Sequence, residues 1–225
     1  MNFSESELAI LRNFAKINPT QIIKPDHFGA KDPSNSIIGN YKFETAYDFE
    51  PFGLYEVPMF LQALETFDHP DIEVLNDRLV ISEGSSKITY FTSPLDLIKS
   101  AEAPDLSKKF GKLDCELDFD LSADKLATIH KTASIFKAQY LFLESDEDAV
   151  RLTVSSDSPG TSANSFDVVI RDNIRANNLG DVILKIPFTE MRVLPGDYAI
   201  QASAKKISKW SCFNNVDYYI GCAID

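Results

Sequence analysis

The chain has 225 residues, of which 44% are hydrophobic, 11% aromatic and 25% charged, a composition typical of a globular protein rather than a disordered or fibrous one. The formal net charge of −12 excludes nucleic-acid binding over the whole surface. It does not exclude a local basic face, because charges are screened within about 8 Å at physiological salt. The length allows one large domain or two of about 110 residues.

The sequence has no pattern typical of membrane insertion or export. No apolar run approaches the roughly 18 to 20 residues that span a bilayer, and the N-terminal residues lack the basic and apolar regions of a signal peptide. We therefore expect a cytoplasmic protein without membrane contact. Cys115, Cys212 and Cys222 form no C-x-x-C pair and are odd in number, so we expect reduced thiols rather than a disulfide framework or a zinc site.

Two amphipathic helices are predicted in the first half. Ser4 is a suitable N-cap for a helix over residues 4–16, whose apolar stripe consists of Leu8, Leu11, Phe14 and Ala15. A second helix is predicted over residues 57–67, because Pro58 suits a first turn. Short strands are expected between the helices, and three more are predicted at residues 72–75, 79–82 and 87–91.

The second half follows a similar order. A strand at residues 117–121 precedes Ser122, the predicted N-cap of a helix over 123–136 with the apolar stripe Leu126, Ile129, Ala133 and Phe136. Strands are then predicted at 140–144, 150–155 and 166–171. A short helix is predicted after Pro187, ending before Pro195-Gly196, and strands follow at 198–202, 210–213 and 218–223.

This order of elements predicts an α+β protein made of two similar αβ halves. Sequence identity between the halves is negligible, so the repeat is inferred from element order alone. The polar stretch over residues 92–112 contains Pro94 and Pro104 and is the expected connector. We place the first half at residues 1–110, including the connector from about residue 92, and the second half at residues 111–225.

No residue pattern typical of catalysis is present. Neither a phosphate-binding glycine loop nor a histidine metal array occurs. Two acidic clusters could in principle bind a divalent metal: residues 146–148, and the alternating Asp114, Glu116, Asp118 and Asp120. We expect the first to lie at a hairpin turn and the second on one solvated strand face. The sequence therefore predicts no enzyme activity, no catalytic residue, no metal and no cofactor.

Basic residues recur on the predicted helices. Arg12 and Lys16 lie on the first helix, Lys125, Lys131 and Lys137 on the third, and Arg192 on the fourth. Such residues could form a basic face toward DNA despite the acidic total. The alternative is that they belong to ordinary solvated helix faces, which usually carry lysines.

Three segments resemble one protein family. They are residues 11–18 (LRNFAKIN), residues 186–198 (IPFTEMRVLPGDY) and the closing residues 217–225 (DYYIGCAID). All three are similar to segments of the DNA sliding clamps of large contractile-tailed phages, which share the fold of the proliferating cell nuclear antigen. The local similarity covers the first helix and the C-terminal region, and the middle of the chain has diverged.

The resemblance implies a homotrimeric ring with helices lining a central hole and antiparallel sheets outside. Such a ring encircles double-stranded DNA without sequence preference and tethers the replicative DNA polymerase. An ATP-dependent clamp loader opens it, and some of these clamps also serve late viral transcription. Residues implied to face DNA are Arg12, Lys16, Lys125, Lys131, Lys137 and Arg192, although the second helix contains no Lys or Arg.

A partner peptide would need an apolar docking pocket. For this role we consider the connector residues and the C-terminal strand: Leu95, Leu97, Ile98, Phe110, Ala223 and Ile224. The alternative for these residues is ordinary packing of the connector. The alternative for the protein is an acidic, non-enzymatic viral structural or assembly protein that shares only the αβ architecture.

Overall fold

The chain folds as two compact units, Met1–Pro104 and Asp105–Asp225. The structure is a computed structural model that describes residues 1–146, 148–212 and 215–224. The boundary between the units lies within the predicted connector. Among the described residues, no helix is both long and apolar enough to cross a membrane.

The first unit contains seven strands and three short or medium helices. Its helices are α1 (Glu5–Phe14), α2 (Val57–Leu64) and α3 (Leu95–Ile98), and a 3-10 turn follows at Lys99–Ala101. Its strands are β1 (Gln21–Ile23), β2 (His27–Lys31), β3 (Ile37–Lys42), β4 (Phe52–Leu54), β5 (Asp71–Val74), β6 (Arg78–Glu83) and β7 (Ser86–Phe91). Antiparallel pairing gives the orders β3-β2-β1-β4 and β5-β6-β7.

Aromatic packing forms much of the core of the first unit. Phe28 contacts Phe14 with ring centroids 5.7 Å apart, and it contacts Tyr41 at 5.1 Å. On α2, the buried Phe60 packs edge-on against Tyr90 of β7 at 5.6 Å. These contacts fix both helices on their sheets by their apolar faces, so their opposite faces turn outward.

In its described residues, the second unit contains ten strands and two α-helices. The helices are α4 (Ser107–Phe110) and α5 (Ala123–Phe136). The strands are β8 (Leu117–Leu121), β9 (Tyr140–Asp146), β10 (Ala149–Ser155), β11 (Ser165–Ile170), β12 (Ile174–Asn177), β13 (Leu184–Pro187), β14 (Tyr198–Ser203), β15 (Ile207–Cys212), β16 (Val216–Gly221) and β17 (Ala223–Ile224). Within this unit the strand orders are β12-β8-β14-β15-β16 and β11-β10-β9-β13-β17.

Three large side chains fill the core of the second unit. Trp210, Tyr198 and Tyr218 are fully buried, and the rings of Tyr198 and Trp210 lie 5.9 Å apart. The Trp210 indole donates a hydrogen bond to the Ser208 hydroxyl at 3.0 Å, which satisfies its buried N–H.

Most predicted elements are present, and α5 and β8 have the predicted bounds. The predicted fourth helix is wrong: only Phe188–Glu190 forms a single 3-10 turn. The prolines restrict this segment, and its backbone is fixed instead by tyrosines, because the Tyr198 hydroxyl donates to the Leu194 carbonyl at 2.7 Å and Leu194 N–H donates to the Tyr218 hydroxyl. Strands β12 and β13 were not predicted. Phe213 of a predicted strand lies outside the described residues.

Candidate nucleic-acid interface

Helix α1 is fixed at its N-terminus by a capping box and by a hydrogen bond to Tyr47. Ser4 and Glu7 form a capping box, in which Glu7 N–H donates to the Ser4 hydroxyl and Ser4 N–H donates to the Glu7 carboxylate at 2.7 Å. The same carboxylate accepts a hydrogen bond from the Tyr47 hydroxyl at 3.0 Å. Burial, together with the Glu7 charge, raises the pKa of Tyr47 to about 12. Glu7 is thus committed to anchoring the helix.

Arg12 and Lys16 are both exposed, but only Arg12 lies on α1. The helix ends at Phe14, and Lys16 follows in a tight turn, where its backbone N–H donates to the Asn13 carbonyl at 3.0 Å. The Arg12 guanidinium lies 2.6 Å from the Glu65 carboxylate, with 52% and 60% of the two side chains exposed. One of the two predicted cations of this unit is therefore paired with an acid.

Helix α2 presents an uncharged surface. Val57, Phe60, Leu61 and Leu64 are buried, whereas Pro58, Met59 and Gln62 are exposed. Glu65 is the C-cap of this helix. The absence of Lys and Arg from α2 means that this unit presents few cations beside α1.

Helix α5 and its C-cap carry three exposed lysines. Ser122 caps it, and Leu126, Ile129 and Ala133 are buried, which leaves Lys125 and Lys131 exposed. Lys137 is the exposed C-cap, in a left-handed conformation with φ of 52°, where its charge is favourable at the negative end of the helix dipole. Over residues 1–146, 148–212 and 215–224, no carboxylate forms an ion pair with these three lysines.

The surroundings of Lys125 and Lys131 differ. Lys125 borders a cleft of about 350 Å³ that also contains Asp120, Asp172 and Asp197. Asp197 accepts a hydrogen bond from the Ala123 N–H at 2.7 Å, at the start of the helix. These carboxylates reduce the local positive potential near Lys125, so Lys131 is the stronger candidate for a phosphate contact.

Arg192 lies beyond the 3-10 turn and not on a helix. It is partly buried, and its Nε donates to the Thr189 carbonyl at 2.8 Å, which folds the side chain back on its own segment. The sequence did not predict this contact of Arg192 with Thr189, because on the predicted helix the Arg192 side chain would have pointed outward.

The acidic strand β8 is not merely a solvated face. Arg175 of β12 bonds to Asp118 at 2.6 Å and to Asp120 at 2.8 Å, and Glu116 accepts from Ala204 N–H. The pairing of strand β12 with β8, which was not predicted, places Arg175 beside these aspartates. In the other cluster, Asp146 and Asp148 pair with Arg151 and Arg171, and Glu147 lies outside the described residues. Within the described part of the chain, no group of three or more acidic, His or Cys side chains is arranged to hold a metal ion.

The connector of the first unit forms one side of a groove. This groove has a volume of about 350 Å³ and is lined by Leu97 and Ala101 on the connector side and by Asn18, Thr20, Asp32 and Tyr55 elsewhere. Leu97 is 78% exposed and Tyr55 63% exposed, which is unusual for side chains of this size. Tyr55 was not considered from the sequence, because nothing in the local pattern distinguishes it from a core tyrosine.

The other predicted docking residues are divided between core and surface. Ile98 and Phe110 are buried: Ile98 fills the space beside Gly53 that a Cβ would need, and Phe110 packs against Tyr219 at 5.7 Å. Leu95, Ala223 and Ile224 are exposed. The described cysteines are all free, and only Cys222 is buried.

Comparison with known proteins identifies the fold. No protein-family model matches the sequence, and no curated protein matches it. PCNA of A. fulgidus, solved with the C-terminal region of FEN-1, superposes with a TM-score of 0.70 at 13% identity over 97% of this chain and 95% of that one. PCNA of Entamoeba histolytica gives 0.66 at 14% identity over 96% and 94%.

The chain has the DNA-clamp fold. The beta subunit of DNA polymerase III from Borrelia burgdorferi has the same fold, with a TM-score of 0.65 at 15% identity. The match covers 92% of this chain and 56% of that longer subunit. The clamp fold accounts for the antiparallel sheets and for the small number of helices.

Proposed function

We propose that the protein is a sliding clamp that encircles duplex DNA and tethers a DNA polymerase for processive synthesis. The observation that carries this proposal is the set of exposed lysines on α5 and at its C-cap, Lys125, Lys131 and Lys137, on a chain that has the clamp fold. The protein needs no enzyme activity or cofactor for this role.

Weak contact with DNA is what sliding requires. A ring that encloses the duplex does not depend on tight binding, so a few cations contacting phosphates, partly through water, are sufficient. The helices are the DNA-facing elements in this proposal, with Arg12, Lys16, Lys125, Lys131, Lys137 and Arg192 as the cations. The net charge of −12 is compatible with this role, because screening within about 8 Å lets a local cluster of cations contact DNA.

We propose a homotrimer for the ring. Strand β7 is an edge of its three-stranded sheet and carries the 68% exposed Phe91, and β11 is an edge of its five-stranded sheet. Pairing of β7 with β11 of the next subunit would cover both edges and repeat head to tail until the ring closes.

The groove beside Leu97 is our proposed docking site for the polymerase. A short hydrophobic C-terminal peptide would place apolar side chains against Leu97 and Tyr55, with the exposed Leu95 of the same unit as a further contact. Ile98, which is buried and lines the groove, supports this surface from beneath. Ala223 and Ile224 are also exposed, but they belong to the second unit and form a separate candidate.

The sequence resemblance extends the proposal to the biological setting. A phage clamp would work in the cytoplasm of the infected host, would be opened by an ATP-dependent clamp loader, and would also activate late transcription. The remaining alternative is an acidic viral structural or assembly protein, which would need neither a ring nor a basic helix face.

The solution mass tests the proposal first. Light scattering over a dilution series should give about three times 25.2 kDa. The ring should then remain on closed circular DNA after loading and slide off the same DNA once it is linearised. A protein that stays monomeric at all concentrations, or that leaves both DNAs equally fast, would contradict the proposal.

A further inference from the structure

The two cations of the first unit that were predicted to face DNA, Arg12 and Lys16, border one cleft. This cleft has a volume of about 320 Å³, lies against α1 and α2, and is lined by Arg12, Lys16, Gln62 and Glu65 with Pro58 and Leu61 among its apolar residues. Glu65 is its one acidic lining residue. A phosphate that entered here would meet two cations and one carboxylate.

The Glu65 carboxylate forms an ion pair with Arg12. The Nη2–Oε1 distance is 2.6 Å, and because Glu65 caps the C-terminal end of α2, it approaches Arg12 from the neighbouring helix. Arg12 is in the last turn of α1, where its charge interacts favourably with the helix dipole. The other lining polar residue from α2, Gln62, is neutral.

We propose that Glu65 is an internal competitor for the DNA phosphate, which holds Arg12 and weakens the contact that this unit makes with DNA. This inference rests on the proposed function. Glu65 is well exposed, and exposed ion pairs are weak enough for a phosphate to displace. Because a phosphate must displace Glu65 before it contacts Arg12, the net free energy of that contact is small and the energy barrier to sliding stays low. Helix α5 then remains the main contact with DNA.

The test compares two isosteric substitutions at opposite ends of α2. Glu65→Gln removes the charge beside Arg12, whereas Glu56→Gln removes the same charge at the exposed N-cap, which makes no side-chain cap hydrogen bond. Retention on closed circular DNA should rise about twofold to fivefold in Glu65→Gln, and the slope of log affinity against log salt should steepen by up to about 0.9 per subunit. Glu56→Gln should change both much less.

Two further variants separate this inference from the clamp itself. In an Arg12→Gln background, Glu65→Gln should no longer increase retention, since its partner is gone. Lys131→Glu should decrease retention in any background. If Lys131→Glu weakens retention while Glu65→Gln equals Glu56→Gln, the role of Glu65 is refuted and the clamp stands. If the unmodified protein is not retained on circular DNA at all, both proposals fail.

Discussion

The ring of Phe14 in α1 lies against Gly39 of β3, so closely that a Cβ at position 39 would come within 2.7 Å of the ring. No side chain fits there without displacing the aromatic ring. This contact sets how closely α1 approaches its sheet, and therefore where the helix presents Arg12.

Replacing Gly39 by Ala should destabilise the protein by about 1–3 kcal/mol, because the added methyl overpacks a closely filled core. Urea unfolding measures the loss. Phe14→Leu provides the matched control. In the Phe14→Leu background, Gly39→Ala should lower the free energy of unfolding clearly less, since the clashing ring atoms are absent. Equal costs in both backgrounds would show that the ring does not limit the approach.

Lys131→Glu should weaken retention on circular DNA and decrease the salt dependence of binding, because it replaces an unpaired cation on α5 with an anion. We expect about a tenfold loss for a ring that carries the change in every subunit. Lys205→Glu makes the same charge change in the exposed turn after β14 and should have little effect. Equal losses from the two variants would indicate a general charge effect and remove α5 from the interface.

Leu97→Ala should weaken binding of a polymerase C-terminal peptide by about tenfold, the cost expected for truncating a central apolar contact. Fluorescence anisotropy with a labelled peptide measures this affinity. Stability should hardly change, since Leu97 is 78% exposed. Ile135→Ala, an exposed apolar truncation on α5, is the control and should bind the peptide normally. Normal binding by Leu97→Ala would exclude the groove.

Asp32 should make stability depend on pH. Burial opposes its ionisation, but hydrogen bonds from the Ser34 hydroxyl, Ile37 N–H, Ser36 hydroxyl and Ser34 N–H outweigh it and lower the pKa from 3.8 to about 2. The ionised carboxylate thus stabilises the fold by about 2 kcal/mol above about pH 5, and this stability is lost as the pH falls toward about 2.

Asp32→Asn should therefore be less stable than the unmodified protein near neutral pH, and the difference should shrink as the pH falls below about 4. Urea unfolding across this pH range measures both. Asp96→Asn, at an exposed position on the connector, should give no comparable difference. A gap that stayed constant with pH would assign the loss to packing rather than to charge.

The helices show which elements could be predicted from the sequence and which could not. The limits of α5 follow from Ser122 and an apolar repeat, both of which act within a few residues. The segment after Pro187 has similar residues, but the backbone of Leu194 is hydrogen-bonded to the hydroxyls of Tyr198 and Tyr218. The contact with Tyr218 joins residues 24 positions apart, so it is not visible in a local pattern.

The sequence by itself determined the caps, the apolar stripes, the alternating strands and the positions of the basic residues, because each depends on neighbours along the chain. Only the tertiary structure decided which of those charges remain available. Arg12 is paired with Glu65 and Asp118 with Arg175, partners more than fifty residues apart in sequence. It also buried Ile98 while leaving Leu97 exposed. Ion pairing and burial depend on distances in space, and folding alone sets those distances.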